Sequence, residues 1–202
     1  MEKLHHPTKN ALIEATRELL KTNARKDISS EQILNKSGIS KGSLYHHFED
    51  LEELVEAAML LRYTEWVDAS IESITQVLQA VKSPDDVYKS LVEVTQQTQD
   101  PKRISDRIYR AEVIGAAASS PRLAKNLGAQ QQRLTDALAD LVRETQAKGF
   151  FHQEIDPHVL AVFIQAYTFG KVVDDFSDSP MKPENWNALI NDFLKKTLLK
   201  YD

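Results

Sequence analysis

The chain has 202 residues, 42% of them hydrophobic, with 25 Lys+Arg against 30 Asp+Glu and a net charge of −5. That length suits one large or two small domains, and the absence of cysteine excludes disulfides, thiolate metal sites and cysteine nucleophiles and points to a reducing cytoplasm. No apolar run reaches the roughly 18 residues of a membrane span, and MEKLHHPTKN lacks the apolar stretch of a signal peptide, so neither a membrane partner nor secretion is expected.

Strand signals are nearly absent, and the punctuation predicts an all-α chain of about nine helices: 8–23, 30–36, 41–47, 51–81, 84–98, 101–118, 121–148, 157–176 and 184–200. The first carries a stripe of Leu12, Ile13, Ala15, Thr16, Leu19 and Leu20 that can cover the two short helices after it. In those, Ser29-Ser30-Glu31-Gln32 reads as a capping box, Gly38 stands where a tight turn wants positive φ, and Ser40 caps the third helix, whose inner side is Leu44 and Phe48. Two short helices about a glycine turn have the geometry that lays the second into a DNA major groove. Asp50 with Glu53 starts the long fourth helix. Its first turns (Leu54, Val55, Ala58) belong with a DNA-binding domain over residues 1–50. Its last turns (Trp66, Ile71, Ile74, Leu78) belong with a second domain over 51–202. Ser83-Pro84, Asp100-Pro101, Ser120-Pro121 and Asp156-Pro157 each pair an N-cap residue with proline at the first helical position, where its missing N–H costs nothing. Gly149 ends the seventh helix.

The string Ser37-Gly38-Ile39-Ser40-Lys41-Gly42-Ser43-Leu44-Tyr45-His46-His47-Phe48, followed by Glu52 and Leu54 and preceded by Ser29-Ser30 and Ile33, resembles the DNA-binding region of the tetracycline-repressor (TetR) family. The match covers about the first quarter of the chain. Two residues depart from the pattern: Leu51 stands where a lysine is usual, and Leu34 where a small residue is usual. The resemblance implies a ligand-responsive transcriptional regulator, a repressor rather than an activator, that binds a palindromic double-stranded DNA operator as a homodimer and answers to a small-molecule effector. It also implies that the long fourth helix transmits effector binding to the head.

Ser30, Lys41, Tyr45 and His46 match the family's phosphate-facing positions. Gly42 and Ser43 lie on the outer side of the third helix, where a base edge can approach, and His47 is open to either role. For Tyr45 a half-buried ring supporting the first helix is the competing reading. Charge distribution adds a little: residues 1–50 hold eight Lys+Arg against seven Asp+Glu, the rest 17 against 23, so a near-neutral head sits on an acidic body.

In the body, Trp66, Tyr88, Tyr109, Phe163 and Tyr167 are candidates to line an effector pocket, with Glu112 and Glu93 as polar anchors; plain core packing and surface carboxylates are the competing readings. Residues 159–173 are apolar nearly all round, so that helix must be covered on two sides. Ala161, Ala166 and Gly170 can admit a close neighbour, and Trp186, Ile190 and Phe193 belong to the apolar band of the last helix. The resemblance implies that these two helices form a four-helix bundle with a second copy; burial within one chain is the alternative.

No cofactor or metal is expected, because His5 and His6 have no spaced partners. Enzyme chemistry is not expected either, since no nucleophile elbow, zinc-binding histidine pair or phosphate-cradling glycine loop is present. The competing function is an all-α protein-interaction adaptor with weak or lost DNA binding.

Overall fold

A computed structural model describes residues 6–200 of the chain. Among them nine α-helices follow in order: α1 Pro7–Leu19, α2 Ser30–Ser37, α3 Lys41–His47, α4 Leu51–Ala80, α5 Pro84–Gln99, α6 Ile104–Ala117, α7 Pro121–Ala147, α8 Pro157–Asp174 and α9 Pro183–Phe193. The fold is all-α, and the backbone divides into two compact units, one ending at Glu65 and the other starting at Trp66. That boundary falls inside α4, because Leu54, Val55, Ala58 and Met59 are buried with the first unit's core.

In the first unit α1 packs across α2 and α3. Leu12, Ile33, Leu44 and Leu54 are fully enclosed, and Phe48 nearly so. Each such burial stabilises the unit by about 1.5–3 kcal/mol, which is what holds two helices of seven and eight residues that would not persist alone in water. Ion pairs brace the rim: Arg17 holds Glu14 and Glu65, both at 2.8 Å, and Arg25 pairs with Glu52.

The second unit packs α7 against α8, α6 against both, and α5 against α8 and α9. Its largest cluster joins Val81, Val87, Val142, Phe151, Leu160, Ile190, Leu194, Leu198 and Leu199. Ser83, Ser120 and Asp156 cap their helices as the Ser-Pro and Asp-Pro pairs suggest.

Three boundaries differ from the sequence reading by three residues or more. First, α1 stops at Leu19 rather than residue 23: the Lys21 and Thr22 N–H groups turn to the i−3 carbonyls of Glu18 and Leu19, at 3.4 and 3.2 Å, and the Asn23 side-chain amide also donates to the Leu19 carbonyl, at 2.8 Å. Second, Asp100 caps a separate 3₁₀ turn, Pro101–Arg103, before α6 begins. Third, the last helix does not run to residue 200. α9 loosens into a π turn at Leu194–Leu198, then extends so that Leu199 bridges Phe151, with the His152 N–H on the Leu198 carbonyl and the Lys200 N–H on that of Phe150. The extension buries Leu198 and Leu199 beside Phe151. His5, at the terminus, lies outside the described residues.

Candidate nucleic-acid interface

The α2–turn–α3 segment is built from local hydrogen bonds. Ser29 Oγ accepts from the Gln32 N–H at 3.3 Å while Gln32 Oε1 accepts from the Ser29 N–H at 2.8 Å, a reciprocal capping box. α2 ends at Gly38, whose φ of 69° lies in the left-handed region that side chains resist. Ser40 Oγ then accepts from the Ser43 N–H at 3.2 Å and starts α3. Asp50 Oδ1 accepts from the Glu53 N–H at 2.6 Å and starts α4.

With Leu44 and Phe48 turned inward, the opposite side of α3 presents Lys41, Gly42, Tyr45 and His46, all exposed. Tyr45 is 46% exposed, which leaves part of its ring open to a partner. A Cβ built on Gly42 would meet nothing within 4 Å; the fold itself does not require glycine there, and its bare backbone leaves the surface open. Ser43 is half-buried and its hydroxyl is engaged with that of Ser40 at 3.1 Å. Ser30 is half-buried in the first turn of α2. Leu34 and Leu51 are both half-buried.

His47 faces neither solvent nor core. Its ring packs against His6 at 4.2 Å between centroids and against His46 at 5.1 Å. Desolvation by those neighbours, then the charges of His6, His46 and Lys9, hold its imidazole below the usual histidine range. Lys9 sits over the Phe48 ring at 5.1 Å. His6, just before α1, and Lys9 on α1 therefore adjoin α3, a contact that sequence spacing alone does not reveal.

The body candidates do not converge on one site. Trp66 faces the Arg110 guanidinium at 4.5 Å, and Arg110 also lies 5.6 Å from the Phe169 ring. Tyr88 and Tyr167 instead pack on the large apolar cluster. The Tyr88 ring takes Lys195 on its face at 4.5 Å. The Tyr167 hydroxyl bonds Thr95 at 3.2 Å, and burial raises its pKa. Tyr109 is half-buried. Phe163 is 41% exposed, its ring 5.1 Å from Phe193. Glu93 and Glu112 are exposed and are not buried anchors: each lies on the solvent side while its apolar chain neighbours turn inward.

The buried polar groups are others. Arg107, 1% exposed, makes two bonds to Asp175, from Nε at 2.5 Å and Nη2 at 2.9 Å, and the buried Lys171 reaches Asp174 at 2.6 Å and Asp175 at 3.0 Å. Gln99 is 2% exposed with no partner for either end of its amide. An orphaned buried amide costs about 1–3 kcal/mol. Gln99→Met should therefore raise the melting temperature by roughly 2–4 °C per kcal/mol recovered; a scanning-calorimetry midpoint that stays or falls means that water or a ligand satisfies the amide.

On α8 the exposed residues other than His158 form one apolar stripe: Val159, Val162, Phe163, Ala166, Gly170 and Val173, with Val173 76% exposed, and Leu189 on α9 is 62% exposed. Ala161 and Ile190, expected at a contact between copies, are buried in their own chain at 0% and 5%. They lie on the other face of their helices. Trp186 and Phe193 are half-buried.

Residues 12–58 match the family profile described as bacterial regulatory proteins, tetR family. The HTH-type transcriptional regulator UidR of Escherichia coli K12 is 23% identical over 168 residues, which cover 83% of this chain and 81% of that protein. The structure of Salmonella enterica GusR superposes with a TM-score of 0.70 at 25% identity, covering 98% of this chain and 99% of that one. A transcriptional regulator from Saccharomonospora viridis, solved in complex with choline, shares the fold with a TM-score of 0.68 at 17% identity, over 96% of this chain and 98% of its own.

Proposed function

We propose, on the premise that this chain belongs to the TetR family of bacterial transcriptional regulators, that it is a cytoplasmic, ligand-responsive repressor which binds a palindromic operator as a homodimer. It is a regulator rather than an enzyme. The observation that carries the operator reading is the outer side of α3. Lys41, Tyr45 and His46 stand exposed around the bare backbone of Gly42, while Leu44 and Phe48 anchor the inner side. Lysine, phenol and imidazole donors suit phosphate oxygens, and an unobstructed glycine suits close approach to base edges. Ser43 is the remaining candidate for base contact, through the part of its hydroxyl not engaged by Ser40; Ser30 and His47 flank the set.

The homodimer reading is supported by the exposed apolar stripe of α8. Contiguous apolar surface of that kind marks an interaction site, and a second copy of the same chain gives the twofold symmetry that a palindromic operator mirrors. The effector reading is supported by the interior of the second unit, where Gln99 offers a donor and an acceptor with no partner. An effector lowers operator affinity only to the extent that it prefers the conformation that fits DNA poorly. Repression rather than activation rests on family analogy. Among the described residues no helix is long and apolar enough to cross a membrane, which suits a protein working on DNA.

Selection of duplexes from a random-sequence pool tests this reading. The expected product is an inverted repeat whose half-sites lie about one helical turn, 34–36 Å, apart. Recovery of no duplex above background would leave the adaptor reading in its place.

A further inference from the structure

Six histidines occur in the chain, and three of them meet beside α3. His46 and His47 occupy its last turn. His6, the residue before α1, packs on His47 at 4.2 Å, and His46 lies 5.1 Å from His47 on its other side. Lys9, one turn along α1, is the fixed cation of the group, its ammonium over Phe48. The charged side chains on the adjoining elements are Lys41 on α3 and, past its end, Glu49, Asp50 and Glu53; the Tyr45 phenol on α3 is neutral in this range. Asp50 is engaged in capping α4, and Glu53 accepts the Glu49 N–H. The charges that act on His47 come from His6, His46 and Lys9, and all of them oppose its protonation.

We propose that His6, His46, His47 and Lys9 form a proton-linked phosphate site, so that DNA binding draws protons onto the imidazoles and tightens as the pH falls. The proposal rests on the DNA-binding reading above. In the free protein the neighbouring rings and Lys9 hold the His47 imidazole below the usual histidine range. A backbone phosphate beside it reverses that balance, because an opposite charge within about 4–6 Å favours the charged ring. The bound-state pKa values then exceed the free-state ones. The gain in affinity is complete below the free-state values and disappears as the pH rises through the bound-state values. Lysine, arginine and carboxylate side chains keep their charge across this range, and the α-amino group is common to wild type and variants, so a slope that the histidine variants lose belongs to histidine. Each unit by which DNA raises one imidazole is worth up to about tenfold in affinity.

The test is fluorescence anisotropy with a labelled mixed-sequence duplex and with the selected inverted repeat, at fixed low salt, between about pH 7.5 and pH 6.0. The expected result is roughly tenfold tighter binding at the lower pH, cut to the share of His46 alone in His6→Asn/His47→Gln and unchanged in His152→Gln/His158→Gln. Imidazole proton resonances of the wild-type protein, titrated with and without duplex, supply a second readout that needs no variant: three should shift upward in pKa on binding. DNA affinity that is flat with pH, or a slope the double variant retains in full, overturns the proposal and leaves the DNA-binding reading intact. Failure to bind either duplex at any pH overturns both.

Discussion

Asp175→Ala is expected to destabilise the second unit by about 3–5 kcal/mol, the cost of breaking a buried ion pair by removing one partner. The Asp175 carboxylate receives the Arg107 guanidinium at 2.5 and 2.9 Å and the Lys171 ammonium at 3.0 Å. Both cations are enclosed, at 1% and 7% exposure. Without Asp175, Lys171 keeps Asp174, but Arg107 keeps only the carbonyls of Thr98 and Asp100, at 3.1 and 3.2 Å, which do not neutralise it. Urea unfolding of the variant checks the figure; a loss below about 1 kcal/mol would place the pair in the class of solvated surface bridges. Burial alone would raise the Asp175 pKa, and the hydrogen bonds from Arg107 and Lys171 outweigh it, so the carboxyl is held below its ordinary value. A lowered folded-state pKa contributes stability that is present above the unfolded value, about 3.9, and is lost as the pH falls through the folded one. The variant should therefore lose part of the acid limb of the wild-type stability curve. Replacing the pair together, Arg107→Met with Asp175→Leu, should cost much less than either single change.

Val173→Asp is expected to convert a homodimer into a 22.9 kDa monomer and to weaken operator binding by about two orders of magnitude or more, since each half-site is then held by one head alone. Val173 is 76% exposed on α8, so a charge there leaves the interior of the chain untouched while opposing its own copy in the proposed α8 interface. Sedimentation at micromolar concentration separates the outcomes. A dimeric variant removes α8 from the interface, and a monomeric wild type removes the homodimer.

The parts of the fold legible in the sequence are those governed by neighbours a few residues away. Ser29 with Gln32, Gly38, Ser40 with Ser43 and Asp50 with Glu53 each specify a cap or turn through bonds spanning at most four positions, and α2, α3 and the start of α4 stand where those residues put them. What was not legible depends on distant contacts. The Arg107–Asp175 pair spans 68 positions, and composition does not distinguish a buried aspartate from a solvated one. Glu93 and Glu112, candidate polar anchors by sequence, are exposed although apolar residues adjoin them, since residues adjacent in a helix point about 100° apart. An all-round apolar helix has two buried faces, and its pattern does not say which belongs to its own chain; Ala161 and Val173 fell on different ones. Leu198 and Leu199 looked helical by spacing, and their pairing beside Phe151 comes from a segment nearly fifty positions earlier. His6 seemed an isolated terminal residue until α1 brought it to His47.

The account depends most on α3 holding DNA through its outer side, and the salt dependence of affinity for the selected duplex tests that directly. Each phosphate contact made by a cation contributes nearly one unit to the slope of log affinity against log salt. For the wild-type protein the slope should be steep, with several such contacts summed over two heads. Lys41→Ala should weaken binding to every sequence alike and lower the slope by about one unit per head, while Ser43 variants change sequence preference at an unchanged slope. A wild-type affinity that does not respond to salt, or a Lys41→Ala variant indistinguishable from it, would contradict the placement of DNA on this face of α3.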